Sequence, residues 1–248
     1  MHITFVGCGD AFGSGGRLNT CFHVRAARTS FLIDCGASSL IGMNRFGIDR
    51  NAIDTILVTH FHADHFGGIP FFMLDAQFKT KRSRPLTIAG PRDLRPRLDA
   101  LREALFPGSS VMTPKFPLEW IAMEPGRPHP VLDLVVTPEP ARHTRETNPT
   151  ALRVQVGGQV VAYTGDTEWT DDVARAARDA DLLIAECYFH DKPVKWHLNY
   201  PDIRERASQV GAKRVILTHM SREMLARAAS VPEECAHDGL VVEVAGPG

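Results

Sequence analysis

Thr59-His60-Phe61-His62-Ala63-Asp64-His65-Phe66-Gly67-Gly68 is the stretch on which the reading of this chain turns. Three histidines and an aspartate fall within six residues, and two glycines follow. Imidazole nitrogens and a carboxylate aimed into one cavity by a tight loop suit borderline divalent metals such as zinc. Alternation along an extended chain places His60 and His62 on one side together. Asp64 and His65 can then address a neighbouring position, which leaves room for two ions roughly 3.5–4 Å apart. The competing reading is a solvated loop that happens to be rich in histidine.

Working outward, the stretch follows an apolar, β-branched strand, Ile53 to Val58. The same arrangement recurs downstream. Asp166 follows Val160 to Gly165, Glu186 follows the buried strand Asp181 to Ala185, and His219 follows Arg214 to Thr218. Strand ends lie at one rim of a rigid sheet, where open α/β sheets build their sites. Between these strands, leucines at 94, 98, 101 and 105 predict an amphipathic helix over Pro91–Phe106, bent at Pro96. Thr170 caps a short helix to Asp179, and a helix from Pro201 to Val210 stops at Gly211. Val131 to Val136 reads as one strand piece, and Ala151–Val156 and Val160–Thr164 flank the turn Gly157-Gly158. Upstream, Ile3–Val6, Cys21–Val24 and Ser30–Ile33 are strands around the glycine-rich turn Gly7 to Gly16. That turn is no dinucleotide fingerprint, because the chain passes from it into another strand and not into a helix. Two β-rich halves feeding helices, with no linker or composition break, point to sheets stacked between helices in one domain spanning 1–248.

With 248 residues, 44% hydrophobic and 23% charged, the chain has an ordinary globular composition. A net charge of -1 gives no field that would draw it onto nucleic acid or an anionic membrane. No apolar run approaches the roughly 20 residues that span a bilayer, and Met1 to Gly7 reads as a strand, so a cytoplasmic protein without membrane contact is expected. Cys8, Cys21, Cys35, Cys187 and Cys235 are odd in number and scattered, and read as inert thiols, mostly buried.

The histidine-rich segment resembles the H-x-H-x-D-H signature of the metallo-β-lactamase fold. Later ligand types fall in that family's order: His143 in Ala-Arg-His-Thr, Asp166 in Tyr-Thr-Gly-Asp-Thr, and His219 in Leu-Thr-His. The resemblance implies a four-layer αββα sandwich, an α+β fold. It further implies His60, His62 and His143 on one metal, Asp64, His65 and His219 on the other, and Asp166 bridging. Two divalent ions are expected, zinc first, with manganese or iron as alternatives. A water or hydroxide shared between them would be the nucleophile.

Within that superfamily the chain is more similar to ribonuclease Z and its phosphodiesterase relatives. Phe5 to Gly9, then Arg17, Asn19 and Thr20, then Leu32 to Gly36, carry the amino-terminal likeness. Glu186 in Ala-Glu-Cys and His197 in Trp-His-Leu-Asn match a Glu and His used beside the metals. A leaving alkoxide needs a proton, so His197 is expected as general acid with Glu186 orienting it. Asp64, Glu186 and His197 are thus the candidate catalytic residues. Asp34 is expected to brace the metal loop.

Only 22 residues lie between His143 and Asp166, which leaves no room for the long arm that clamps transfer RNA in the bacterial enzyme. The basic cluster Lys79, Lys81, Arg82 and Arg84 reads as a solvated face. The expected substrate is therefore a small or short single-stranded phosphodiester, in preference to structured nucleic acid. A homodimer follows from the likeness alone. The rival enzyme reading is hydrolysis of a lactone or another carboxylic ester or amide, with β-lactams lowest because such enzymes usually lack an aspartate matching Asp166. Redox chemistry is disfavoured because the di-iron members carry a glutamate where His62 stands. A non-catalytic sensor would have lost ligands, and none is missing here. Pocket walls are expected from Phe12 and Ser14, from Phe66 to Pro70, and from the Tyr188–Asn199 loop.

Overall fold

Nearly continuous apolar runs such as Ile56-Leu57-Val58 and Leu182-Leu183-Ile184 are what strands covered on both faces require. The computed structural model describes residues 1–245, apart from the side chains of residues 207 and 208. In it these runs lie inside two seven-stranded sheets. The amino-terminal half supplies β1 (His2–Gly7), β2 (Cys21–Arg25), β3 (Ser30–Ile33), β4 (Thr55–Leu57), β5 (Leu86–Pro91) and β6 (Leu118–Met123). The second half supplies β7 (His129–Val131), β8 (Leu134–Pro140), β9 (Thr150–Val156), β10 (Gln159–Tyr163), β11 (Leu182–Glu186), β12 (Val215–Thr218) and β13 (Glu234–Cys235). The last strand, β14 (Val241–Glu243), returns to the first sheet and pairs antiparallel with β1, Ile3 opposite Val242. The sheet orders are β14-β1-β2-β3-β4-β5-β6 and β13-β12-β11-β10-β9-β8-β7. Strands β3 to β6 run parallel, as do β10 to β13.

Alternation then sorts the side chains into layers. Phe5, Phe22, Phe31, Ile33 and Leu57 of the first sheet meet Leu152, Val154, Val161, Tyr163 and Ile184 of the second in the central core. On the outer face of the first sheet, Val6, Leu32, Ile56 and Ile88 pack under α1 (Ser39–Arg45), α2 (Ala63–Phe66), α3 (Ile69–Leu74) and α4 (Leu94–Leu105), through Met43, Phe66, Phe72 and Leu98. Leu183, Ala185 and Leu217 do the same on the second sheet under α5 (Asp171–Ala177), α6 (Tyr200–Arg206) and α7 (Arg222–Arg227). The result is the four-layer αββα sandwich.

Several local expectations are corrected. The piece Val131 to Val136 is a hairpin, β7 and β8 reversing at Leu132-Asp133, with Leu132 at a left-handed φ of 52°. Pro91 closes β5, and α4 runs on uninterrupted past Pro96, which lies in its first turn where no i−4 bond is lost. Gly211 does end the α6 segment with a left-handed φ of 71°, after a closing 3₁₀ turn. Arg82 is no solvated charge. It is buried, and its guanidinium donates to the carbonyls of Arg84, Ile53 and Arg50 at 2.8, 2.7 and 3.2 Å and to that of Pro85, tying a loop to the start of β4. Arg84 is paired with Asp54 at 2.7 Å. Cys8, Cys21, Cys35 and Cys187 are buried and Cys235 half-buried, all as free thiols. No described helix is long and apolar enough to cross a membrane.

His23 on β2 offers a test of this packing. It is buried, with Nε2 2.8 Å from Ser30 Oγ. Burial first, and the Arg25 charge second, push its imidazole down to about 4. In the unfolded chain it titrates near about 6.5. As pH falls, the unfolded state therefore takes the proton first, and stability present above about pH 6.5 is lost progressively down to about pH 4. His23→Gln is expected to reduce the proton uptake on unfolding in that window by about one. The slope of urea-unfolding free energy against pH measures it, and an unchanged slope would mean that His23 is already charged in the folded protein.

Candidate metal centre

Parallel strands deliver their carboxyl ends to one edge, and the ligand types of the sequence sit there. Asp34 follows β3, His60 follows β4, Asp166 follows β10, Glu186 ends β11, and His219 follows β12. Asp34 takes a left-handed φ of 57° and His219 one of 54°, backbone turns that aim side chains back over the sheet edge. After His60 the chain enters α2, with His62 at its start and Asp64 and His65 within its single turn. Close approach requires glycine at Gly68, which follows that turn, and at Gly36, which packs against it. A Cβ on Gly68 would lie 2.1 Å from the carbonyl oxygen of Gly36, and one on Gly36 would lie 2.1 Å from that of Asp64.

These elements bring all seven predicted ligands together. Ligand atoms of His60, His62, His143 and Asp166 lie within 4.8 Å of one another, as do those of Asp64, His65, Asp166 and His219. Asp166 is common to both groups, the position expected of a bridging carboxylate. His143 Nε2 and His62 Nδ1 face each other at 3.1 Å, and His219 Nε2 is 3.2 Å from Asp64 Oδ2. His60 Nε2, His65 Nε2 and Asp166 Oδ1 are buried with no hydrogen-bond partner. Buried polar atoms left without partners are costly unless something binds them. The donor set, imidazole nitrogen plus carboxylate oxygen, is one that divalent metals such as zinc take. The residues therefore fit a divalent cation at each of the two groups.

Supporting contacts fix the imidazoles. The Asp34 carboxylate accepts from the Thr59 amide and hydroxyl, each at 2.8 Å, and lies 2.7 Å from His65 Nδ1, which leaves His65 Nε2 for the centre. The carbonyl of Trp196 lies 2.9 Å from His143 Nδ1 and turns its Nε2 inward in the same way. Trp196 is held for this at a left-handed φ of 73°, its amide donating to Glu168 at 2.9 Å.

Charge and burial divide the groups. Burial pushes His60 well below its ordinary value and His143 down to about 4, with attraction to Asp166 the main opposing effect at His143. Neutral imidazoles are the ligand form. Burial would raise the Asp166 carboxyl, but the charges on His219 and His65 carry it well below the carboxylate range. His65 is pushed down by burial and lifted further by Asp166, Asp64 and Asp34, so its net direction is upward. A cation beside His65 competes with a proton for the same nitrogen.

The third grouping, Asp166, Glu186, His197 and His219, shares two members with the others. Glu186 is fully buried and already engaged. It accepts from the amides of Thr167 and Leu198 at 2.5 and 3.2 Å and sits 2.8 Å from His197 Nδ1. Burial alone would lower the His197 imidazole, but Glu186 and then Asp166 carry it up to about 9. Cations in the neighbouring groups oppose that rise.

A cavity of about 410 Å³ opens onto the centre, walled by Phe12, Asn19, Ala37, Ala63, Tyr188 and His197 among others. Two wall expectations fail. Phe66 and Ile69 pack into the layer under the first sheet, because that α2–α3 segment uses its apolar face to cover Leu32 and Ile56. Ser14 is spent on Asp10, donating its hydroxyl at 2.7 Å. Asp10 and Tyr188 are the residues sequence reading undervalued. Asp10 is a carboxylate in a glycine-rich turn, and Tyr188 lies stacked on His197 with ring centroids 4.8 Å apart.

Asp34→Asn removes the charge behind His65 while leaving an acceptor for Thr59. Divalent-metal affinity is expected to fall roughly 10- to 100-fold with the fold retained. Chelator-competition titration reads this directly, and an affinity within twofold of the parent would mean that Asp34 supports only the strand end.

Comparisons place this geometry among known proteins. The chain is 26% identical to ribonuclease Z of Methanosarcina mazei, over 89% of this chain and 88% of the relative. The crystal structure of the metallo-β-lactamase fold protein YhfI from Bacillus subtilis superposes with a TM-score of 0.76 at 24% identity, covering 98% of this chain and 99% of that one. Human tRNase Z, short form, gives 0.77 at 22% identity, covering 99% of this chain and all of that one, 100%. The family model described as anti-Pycsar protein Apyc1 matches residues 1–239, and the chain belongs to that family.

Proposed function

We propose that the protein is a metal-dependent phosphodiesterase of the ribonuclease Z-like type, acting on a small or short single-stranded phosphodiester. The observation that carries this reading is the Glu186–His197 pair, 2.8 Å apart, at the lip of the seven-ligand cluster. A phosphodiester has a poor alkoxide leaving group, and an imidazole held by a carboxylate can supply the proton it needs. The names of the curated relatives, ribonuclease Z among them, support the same chemistry.

On this reading His60, His62, His143 and Asp166 hold one divalent cation, and Asp64, His65, His219 and Asp166 hold the other. Zinc is the first choice and manganese or iron the alternatives. Such ions supply a water made nucleophilic near neutral pH and offset phosphate charge. Glu186 holds the Nδ1 side of His197, so the Nε2 proton is the one presented to the leaving oxygen. Asp64, which lines the cavity, keeps His219 in place at 3.2 Å. Residues 1–248 work as one domain, since both sheets contribute ligands. A cavity of about 410 Å³ supports a small or short substrate.

Elemental analysis of gently purified protein is expected to find close to two metal ions per chain; a substoichiometric content would remove the two-ion reading. His197→Ala is expected to slow an alkyl phosphodiester by roughly 10²- to 10⁴-fold and an aryl one much less, because nitrophenolate leaves without a proton. Equal losses on both esters would strip His197 of the donor role. A parallel screen over phosphodiesters, lactones and β-lactams with defined metals separates the substrate classes.

A further inference from the structure

Phe12 is 80% exposed and lines the cavity over the metal centre. A lone exposed phenyl is unremarkable on a protein surface. This one is distinguished by how its loop is held. Asp10 is fully buried, and its Oδ1 accepts from the amides of Phe12 and Ser14 at 3.1 and 2.9 Å. Its Oδ2 accepts from the Ser14 hydroxyl at 2.7 Å, and its carbonyl accepts from Asn19 Nδ2 at 3.0 Å. Gly13 and Gly15 adopt left-handed φ of 63° and 66°, and Gly15 sits so close to Leu225 that a Cβ there would lie 2.8 Å from it. The loop is thus clamped from both sides with its one large apolar ring facing out over the cavity mouth. Tyr188, on the same cavity, has one face covered by His197.

We propose that Phe12 is a specificity-determining residue, whose ring receives a planar substituent of the substrate while the phosphate lies at the histidine–aspartate centre. A phenyl face offers dispersion and π contact and no hydrogen bond, so it selects for the presence of a flat ring and not for which atoms decorate it. This inference rests on the phosphodiesterase reading for the identity of the anchored group.

Isothermal titration of the zinc-loaded protein with thymidine 5′-monophosphate and with methyl phosphate tests it without turnover. The parent is expected to bind the ring-bearing probe about tenfold more tightly, a value at the low end for a base stacked on an aromatic side chain. Phe12→Ala is expected to erase that ratio while leaving methyl phosphate affinity and metal content unchanged, and Phe12→Trp to preserve it. No preference in the parent, or a ratio that survives Phe12→Ala, overturns the proposal. Hydrolysis of bis(p-nitrophenyl) phosphate by the parent is measured alongside. Its absence would count against the phosphodiesterase reading, and the binding ratio would still decide the role of Phe12.

Discussion

Five imidazoles, those of His60, His65, His143, His197 and His219, approach the Asp166 carboxylate to 4.0 Å or less, and one oxygen of that carboxylate has no hydrogen-bond partner. So dense a set of ionisable groups away from water is unfavourable unless opposite charges or bound cations compensate it. The surrounding architecture is what keeps it assembled. Two sheets end their parallel strands at a common edge, and the turns leaving those strands include left-handed conformations at Asp34 and His219 that neither residue would choose in a free chain.

The rigidity behind this edge comes from layering. Each central strand is buried on both faces, one against the opposing sheet and one against helices, so no strand can slip without moving a full set of apolar side chains to the wrong layer. Around the ligands a ring of contacts locks orientation. Asp34 holds His65 and Thr59, Trp196 holds His143, and Glu186 holds His197. The same loop that supplies the Trp196 carbonyl also supplies His197, so the orientation of His143 and the placement of His197 are a single structural decision.

The mouth of the cavity over the centre is bordered by two irregular segments, the glycine-rich turn with Phe12 and the loop from Tyr188 to Leu198. Both are tied down by buried carboxylates, Asp10 in the first and Glu186 in the second. Shape at the cavity mouth is therefore preorganised, which favours selective binding because little ordering is left to do when a substrate arrives.

Much of the centre was legible before any coordinates. His60, His62, Asp64 and His65 lie within six residues, and the local geometry of a strand end followed by one helical turn determines where they point. Asp166 and His219 were marked by their places at the ends of apolar strands, whereas His143 and His197 were legible only through resemblance, because no local spacing links residues that far apart. The α4 bend at Pro96 failed because proline's effect depends on whether it stands in the first turn, and the hairpin at Leu132-Asp133 was hidden by a run of β-formers with no glycine between them. Arg82 looked solvated because a charge run does not reveal that a guanidinium can satisfy buried carbonyls. Sequence alone determined the ligand residue types and a stacking of sheets between helices, since residue type and hydrophobic period are local properties; the four-layer αββα form was implied by the resemblance. Tertiary structure decided the walls of the cavity, the clamp on Phe12 and the stacking of Tyr188 on His197, because those depend on which distant segments share a volume.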